Sequence, residues 1–489
     1  MKRITKKRVW VFLCLALPLS MVSAQQTTRL LDPYRTYHSA RELLDHKKYA
    51  SAQLLFDQVA AYQAPAGDQE IFLYQAESEY YAAICAVALD NPDAENMMLA
   101  FVNDHPGHAL QGSANFQLGK IYFNKRKYGD AIDWFEQVDI YDLGAEDKDV
   151  YRFQYGYCLF TKKRLAEAKE LFAPIKDKEG PYYLPSNYYY GFIAYFQNDY
   201  ETALTSFQRV EDHPVYSLVI PYYFANIYFS QGKYREVVAY AEPQISNTRL
   251  SYYNELNQIL GKAYFNLREY EKALPYLQYY LEKNRRAADA DYYQVAFAQY
   301  KLEAYNLAME NLDKIKGTGD SLAQHADYLE GQCLLAMDRK ADARNAFQEA
   351  ASKGYDERTR EFAQFNFGKL SYELGYYPAA VTALRNYLDT YPKGIDYSEA
   401  QGLLAESLLR SKNYEEALAI LEDIDKSNNT LKKAYQKVAY FSGVNAYNDR
   451  NYDNAYVLFT KSLEMPLDGG LQAASYFWRS EEHTSELQS

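Results

Sequence analysis

A chain of 489 residues with a net charge of −12 repels phosphate backbones and anionic lipid surfaces, so nucleic acid is a poor partner for it. Its length would allow several domains, but no Pro/Gly/Ser-rich linker or low-complexity tract divides it, and one continuous architecture is expected. Fifty-two tyrosines, more than one residue in ten, require a recurrent structural reason.

Residues 1–24 have the layout of a secretory signal peptide. Lys2, Arg3, Lys6, Lys7 and Arg8 form a basic leader, Val9 to Val22 an apolar run too short to span a bilayer, and Val22-Ser23-Ala24 a small-residue cleavage point. The expected mature chain starts at Gln25 with a lead-in over 25–37, and without the five basic leader residues its charge falls to −17. Cys14 sits behind Phe12 and Leu13, where a lipoprotein signal would want a small residue. The remaining Cys85, Cys158 and Cys333 are far apart and fall on apolar helix faces, so they read as buried free thiols rather than a disulfide framework or metal site.

From residue 38 to 478 one phrase recurs: a small residue, an aromatic or Leu three on, Tyr six later, Ala three after that, and an aromatic or Leu four further. Gly119, Tyr122, Tyr128, Ala131 and Phe135 give the cleanest copy, and Gly261, Tyr264, Tyr270, Ala273 and Leu277 another. The small residues of the twelve copies are Ala40, Ala82, Gly119, Gly156, Gly191, Ala225, Gly261, Ala296, Gly331, Gly368, Ala405 and Gly443. The least regular copy is Ala82 with Ala94 and Met98. Apolar residues three and four apart line one face of a helix, so each copy reads as two antiparallel helices, with the small residues letting the backbones approach. Pro106 and Pro392 fall between copies, where they can end a second helix without breaking the next first one.

This pattern resembles the tetratricopeptide repeat. The resemblance implies an all-α, right-handed superhelical solenoid of about twelve stacked helix pairs over 38–478, with the start of a thirteenth at Ala473-Ala474-Ser475-Tyr476-Phe477-Trp478. Stretches such as Leu384 to Gly394 look like the repeats of bacterial cell-envelope proteins, in keeping with the leader. Residues 479–489 interrupt the pattern and read as the translation of a sequencing-adapter oligonucleotide, so the natural chain is expected to continue differently beyond 478.

Catalytic constellations are missing from the sequence: it has no His-Glu-x-x-His, no phosphate-binding loop, no dinucleotide glycine motif and no nucleophile elbow. His105 and His108 flank Pro106-Gly107 and read as turn decoration rather than a metal pair. No cofactor and no enzyme activity are expected. The functional feature is an aromatic stripe on the first helices, at positions that line the concave groove in the family the chain resembles. It comprises Phe153, Tyr157, Phe160, Tyr188, Phe192, Tyr195, Tyr222, Phe229, Tyr293, Phe297 and Tyr300, with Phe116, Phe123 and Tyr328 in equivalent places. Such residues serve either as inter-helix packing or as a groove, where rigid tyrosines grip a peptide at low entropic cost.

These features lead to an exported scaffold in the periplasm or at the outer membrane of a Gram-negative bacterium. Its expected partners are other cell-envelope proteins or peptides, through which it associates with the outer membrane. Two alternatives are a glycan-binding surface and the periplasmic sensor portion of a larger protein whose C-terminal domain is missing.

Overall fold

The computed structural model describes residues 32–63, 69–315, 319–423 and 429–486, with side chains up to Ser480. The signal-peptide segment and residues 487–489 lie outside them. Among the described residues every element is helical, and the chain divides into two compact units, residues 1–210 and 211–489.

In the first unit the helices run α1 (Pro33–Asp45), α2 (Tyr49–Ala60), α3 (Gln69–Ala88), α4 (Ala94–Asp104), α5 (Gln111–Asn124) and α6 (Tyr128–Phe135). They continue as α7 (Ala145–Thr161), α8 (Leu165–Phe172), α9 (Tyr183–Phe196) and α10 (Tyr200–Gln208). The second unit begins with α11 (Ile220–Ser230), α12 (Tyr234–Gln244), α13 (Tyr253–Asn266), α14 (Tyr270–Lys283), α15 (Asp289–Lys301), α16 (Tyr305–Leu312), α17 (Ser321–Ala336) and α18 (Lys340–Ser352). It ends with α19 (Glu357–Glu373), α20 (Tyr377–Thr390), α21 (Tyr397–Ser411), α22 (Tyr414–Asp423), α23 (Asn429–Asn448), α24 (Tyr452–Glu464) and α25 (Gly469–Glu486). Odd-numbered helices carry the small residue of each copy, and most even-numbered ones carry the Ala and the aromatic or Leu that face it, with Val237 and Ala241 in those places on α12 and Met98 on α4.

The turn inside each pair follows from helix-end chemistry. In the first unit Arg126 adopts φ 58°, its N–H donates to the Phe123 carbonyl, and the Lys127 N–H donates to the Tyr122 carbonyl, both at 2.9 Å. These two hydrogen bonds satisfy carbonyls at the end of α5 and reverse the chain within three residues. The left-handed residue falls seven places after the small one in nearly every copy, for example Lys163, Asn198, Gly232, Arg268, Glu303, Asp338, Gly375 and Arg450. In most copies a Tyr two places further opens the second helix and packs on the aromatic four after the small residue, as in Phe123–Tyr128 (5.9 Å between centroids), Phe265–Tyr270 (5.5 Å) and Tyr447–Tyr452 (5.4 Å); α8 and α18 open on Leu165 and Lys340 instead. This recurrent cover over the turn accounts for much of the tyrosine content.

The second copy corrects the sequence register. Its left-handed residue is Asp90, eight places after Ala82, so the residue in register is Ala83. Ala83 packs with Met98 and Phe101, while Ala82 belongs to the preceding cluster around Phe56 and Val59. A second difference is that Pro275 lies inside α14 and Pro243 in the last turns of α12, in addition to the prolines between pairs.

Two buried glutamines hold the bends between pairs in the second unit. Nε2 of Gln324 lies 3.1, 2.8 and 3.2 Å from the carbonyls of Ala350, Lys353 and Asp356, and its Oε1 accepts from the N–H groups of Tyr355 and Asp356. Gln436 repeats the arrangement on Leu467 and Asp468. Both stand seven residues before the small residue of their copy. Beyond the second bend, Trp478 of α25 lies on Tyr447 and Phe459 and donates Nε1–H to the Tyr440 hydroxyl at 3.2 Å.

The surface is tied across neighbouring pairs by ion pairs such as Arg164–Glu136 (2.8 Å), Lys340–Glu373 (2.8 Å) and Lys461–Glu422 (2.7 Å). Exposed pairs of this kind each contribute only about 0.2–1 kcal/mol, so the cores between helices carry the stability. No helix among the described residues is long and apolar enough to cross a membrane.

Candidate partner-binding face

All eleven residues of the aromatic stripe are half-buried. Each therefore combines packing with a solvent-facing surface, and the division between core and groove falls within the rings. Phe116 differs: it is 1% exposed and belongs to the core beside Phe135 and Tyr151.

In the first unit the structure gathers Phe153, Tyr157, Phe160, Tyr188, Phe192 and Tyr195 into one connected net. Phe153 stacks on Tyr182 with centroids 4.9 Å apart and rings inclined by 26°. Tyr157 meets Phe123 at 5.7 Å and Tyr128 at 5.4 Å, both edge-on. Tyr188 and Phe192 make a T-shaped pair at 4.9 Å, and Tyr195 packs edge-on against Phe196, which is itself 59% exposed.

The centre of this net is a residue that counting along the stripe missed. Tyr189 lies 5.2 Å from Tyr157, 5.0 Å from Phe160, 6.3 Å from Phe153 and 5.2 Å from Tyr188, and it is stacked on Phe172 at 5.8 Å. It stands two places before Gly191, on the side of α9 that faces the preceding pair. Offset and edge-on ring pairs of this kind contribute about 0.5–1.5 kcal/mol each beyond area burial, so the net is rigid before any partner arrives.

In the second unit the stripe is divided. Tyr293, Phe297 and Tyr300 lie along α15, with Phe297 meeting Phe265 at 5.6 Å and Tyr270 at 5.9 Å. Burial pushes the Tyr293 hydroxyl up to about 12 and also raises that of Tyr300. Lys301 Nζ stands 5.3 and 5.2 Å above Phe297 and Tyr300, an arrangement in which the ring faces attract the cation. Tyr222 packs instead on Tyr252 at 4.7 Å and Phe229 on Tyr234 at 5.4 Å. Between these groups α13 carries Gln258 and Lys262 at the matching positions.

The groups considered for chemistry are placed as packing elements. Cys85, Cys158 and Cys333 are free and buried, and burial raises their thiols to about 11, 12 and 12. His105 contacts Glu79 at 2.7 Å, with the His108 ring 6.3 Å away, and among the described residues no three potential ligands converge on a metal position.

Residues 112–139 and 372–439 each match a model of the tetratricopeptide repeat. The same turn and small-residue geometry recurs outside those segments, so the chain is an all-α helical-repeat solenoid whose matched segments are tetratricopeptide repeats. Such repeats generally mediate protein–protein interaction and are generally non-catalytic. The structures it resembles include the anaphase-promoting-complex heterotetramer Cut9–Hcn1 (14% identity, 83% of this chain and 90% of that one, TM-score 0.28). Others are the C-terminal part of a tetratricopeptide repeat protein from Cytophaga hutchinsonii (16%, 58% and 98%, 0.34) and YrrB, described as having an unusual peptide-binding site (17%, 41% and 97%, 0.25). No curated protein matches the chain.

Proposed function

We propose that this protein is a non-catalytic scaffold of the Gram-negative cell envelope, exported to the periplasm or to the outer membrane, that holds partner proteins or peptides on the aromatic face of its first helices. The observation that carries this reading is the connected, half-buried net around Tyr189. Rings fixed by their neighbours lose little freedom when a partner segment covers their remaining surface, so more of the burial appears as affinity. The signal-like leader is the support for export.

The test is affinity capture from envelope extracts of the native host, with a photo-cross-linking residue at Tyr157 and a control at the exposed Thr205 on α10. Cross-linked proteins specific to position 157, lost when Tyr188, Phe192 and Tyr195 are changed to Ala, are the expected result. Equal capture by both forms would remove the groove assignment. Retention of the uncleaved leader in the cytosolic fraction would remove the assignment to the envelope.

A further inference from the structure

Three lysines occupy the same place in the repeat, one residue after the small residue of the first helix: Lys120, Lys262 and Lys369. Two of them are neutralised by an acid about thirty residues on, in the next first helix. Lys262 Nζ lies 2.8 Å from Asp291, and Lys369 Nζ lies 2.7 Å from Glu399. Twenty-nine residues on from Lys120 stands Asp149, seven places before the next small residue where Asp291 and Glu399 stand five and six places before theirs, and it is taken: it pairs with Lys178 and, at 3.8 Å, with Arg152.

Lys120 is therefore left without a counterion or a hydrogen bond among the described residues, although it is half-buried. Its ammonium stands 5.1 Å above the ring of Phe116, and Asp147 acts on it only from beyond ion-pair distance. Burial lowers its pKa, the mark of a cation whose lost hydration has not been replaced. On α5 it lies between Phe116 and Phe123, one turn from each, and Phe123 meets Tyr157 of the aromatic net.

We propose that Lys120 receives an Asp or Glu side chain of a partner segment whose apolar residues cover the adjoining rings of Phe123, Tyr157 and Phe153. The assignment rests on the peptide-binding reading of this face and adds the charge of what it binds. A partly desolvated ammonium gains more from an incoming carboxylate than a hydrated surface lysine does. The chain's net negative charge opposes this only weakly, because at physiological ionic strength repulsion from charges beyond about 8 Å is largely screened. The favoured partner is accordingly a mostly apolar segment with an isolated acidic residue.

The test uses the mature full-length protein and a panel of short fluorescent peptides, acetylated and amidated to remove terminal charge, in which alternating Leu and Ser carry one Glu at successive positions. Each has a twin with Gln in place of Glu. The expected result is a Glu peptide bound about tenfold more tightly than its Gln twin, with the preference abolished in Lys120→Met and kept in Lys262→Met. Lys120→Met keeps the aliphatic stem over Phe116, and circular dichroism confirms that both variants are folded. Equal affinity for every Glu and Gln pair, or a preference that survives in Lys120→Met, overturns the assignment and leaves the aromatic face as a neutral groove. If the wild type binds no peptide of either kind, the acid assignment and the groove both fall.

Discussion

Gly331 and Phe347 meet where the two helices of their pair come closest: a Cβ on Gly331 would stand 2.7 Å from Cε1 of Phe347. The same relation, sixteen residues apart, joins Gly191 to Phe207 and Gly443 to Phe459, each at 2.8 Å. Ala takes the glycine's place where the facing residue is Ala241, Leu312 or Leu421, and also over Phe56. Gly331→Ala is expected to lower stability by about 1–3 kcal/mol through overpacking. Adding Phe347→Leu should recover part of that loss, so a double-mutant cycle by urea unfolding should give a cost below the sum of the single changes. Strict additivity would show that the two residues do not constrain one another.

Arg268 adopts φ 62° at the reversal between α13 and α14, is exposed, and contributes to the turn through its backbone alone. A non-glycine residue in this conformation costs about 1–2 kcal/mol. Arg268→Gly should therefore raise the urea midpoint, offset in part by the greater freedom of glycine in the unfolded chain. Gly375→Ala, at φ 82°, should lower it. A fall in midpoint for the first substitution would contradict the account of the turn.

Glu330 has its carboxyl raised above the usual range, first by burial and then by the charges of Asp327 and Asp313. A carboxyl that holds its proton more tightly in the folded chain favours folding below the unfolded value of about 4.3, and that benefit is lost as pH rises through the raised folded value. Glu330→Gln should therefore melt higher than the wild type at pH 7, and the difference should shrink as the pH falls through the raised folded value and level off below the unfolded value of about 4.3. A pH-independent difference would mean that the carboxylate's charge is not what costs stability there.

Tyr189→Ala removes the ring shared by Tyr157, Phe160 and Phe172 and should cost about 2–3 kcal/mol, since the ring is only half-buried. Near-ultraviolet circular dichroism should lose intensity from the neighbouring tyrosines as well. An unchanged aromatic spectrum and melting point would show that the net is not held through this residue.

The three buried thiols, raised by desolvation, should stay unreactive toward a disulfide reagent in the folded protein and react together on unfolding. Rapid modification of any of them under native conditions would place that cysteine at a surface.

The pairing of helices was legible because it depends on size. A glycine that must face a Phe or Leu sixteen residues on leaves a mark in the sequence whatever surrounds it, as at Gly191 and Phe207. The register of the second copy was not, since adjacent Ala82 and Ala83 are both small and only the turn at Asp90 chooses between them. The stripe was located by counting three places before and one and four places after the small residue. That count passes over Tyr189, which points toward the preceding pair and becomes the hub only once α7 and α8 are in place. Gln324 escaped notice for a related reason: a polar residue on a helix reads as solvent-facing until the bend it holds has been folded against it. That Lys120 lacks an ion pair could not be read from spacing, because Asp149, twenty-nine residues on, pairs with Lys178 and Arg152 instead.

The braces at Gln324 and Gln436 give the second unit a mechanical grain. Stretching the bend at Lys353–Asp356 must rupture several hydrogen bonds to one amide together, since that amide grips both sides of the bend. The junction whose matching position holds Leu218 has no glutamine there to resist in this way. Under tension that junction yields before the clamped ones, and the helices on either side of each clamp move as a single stiff block.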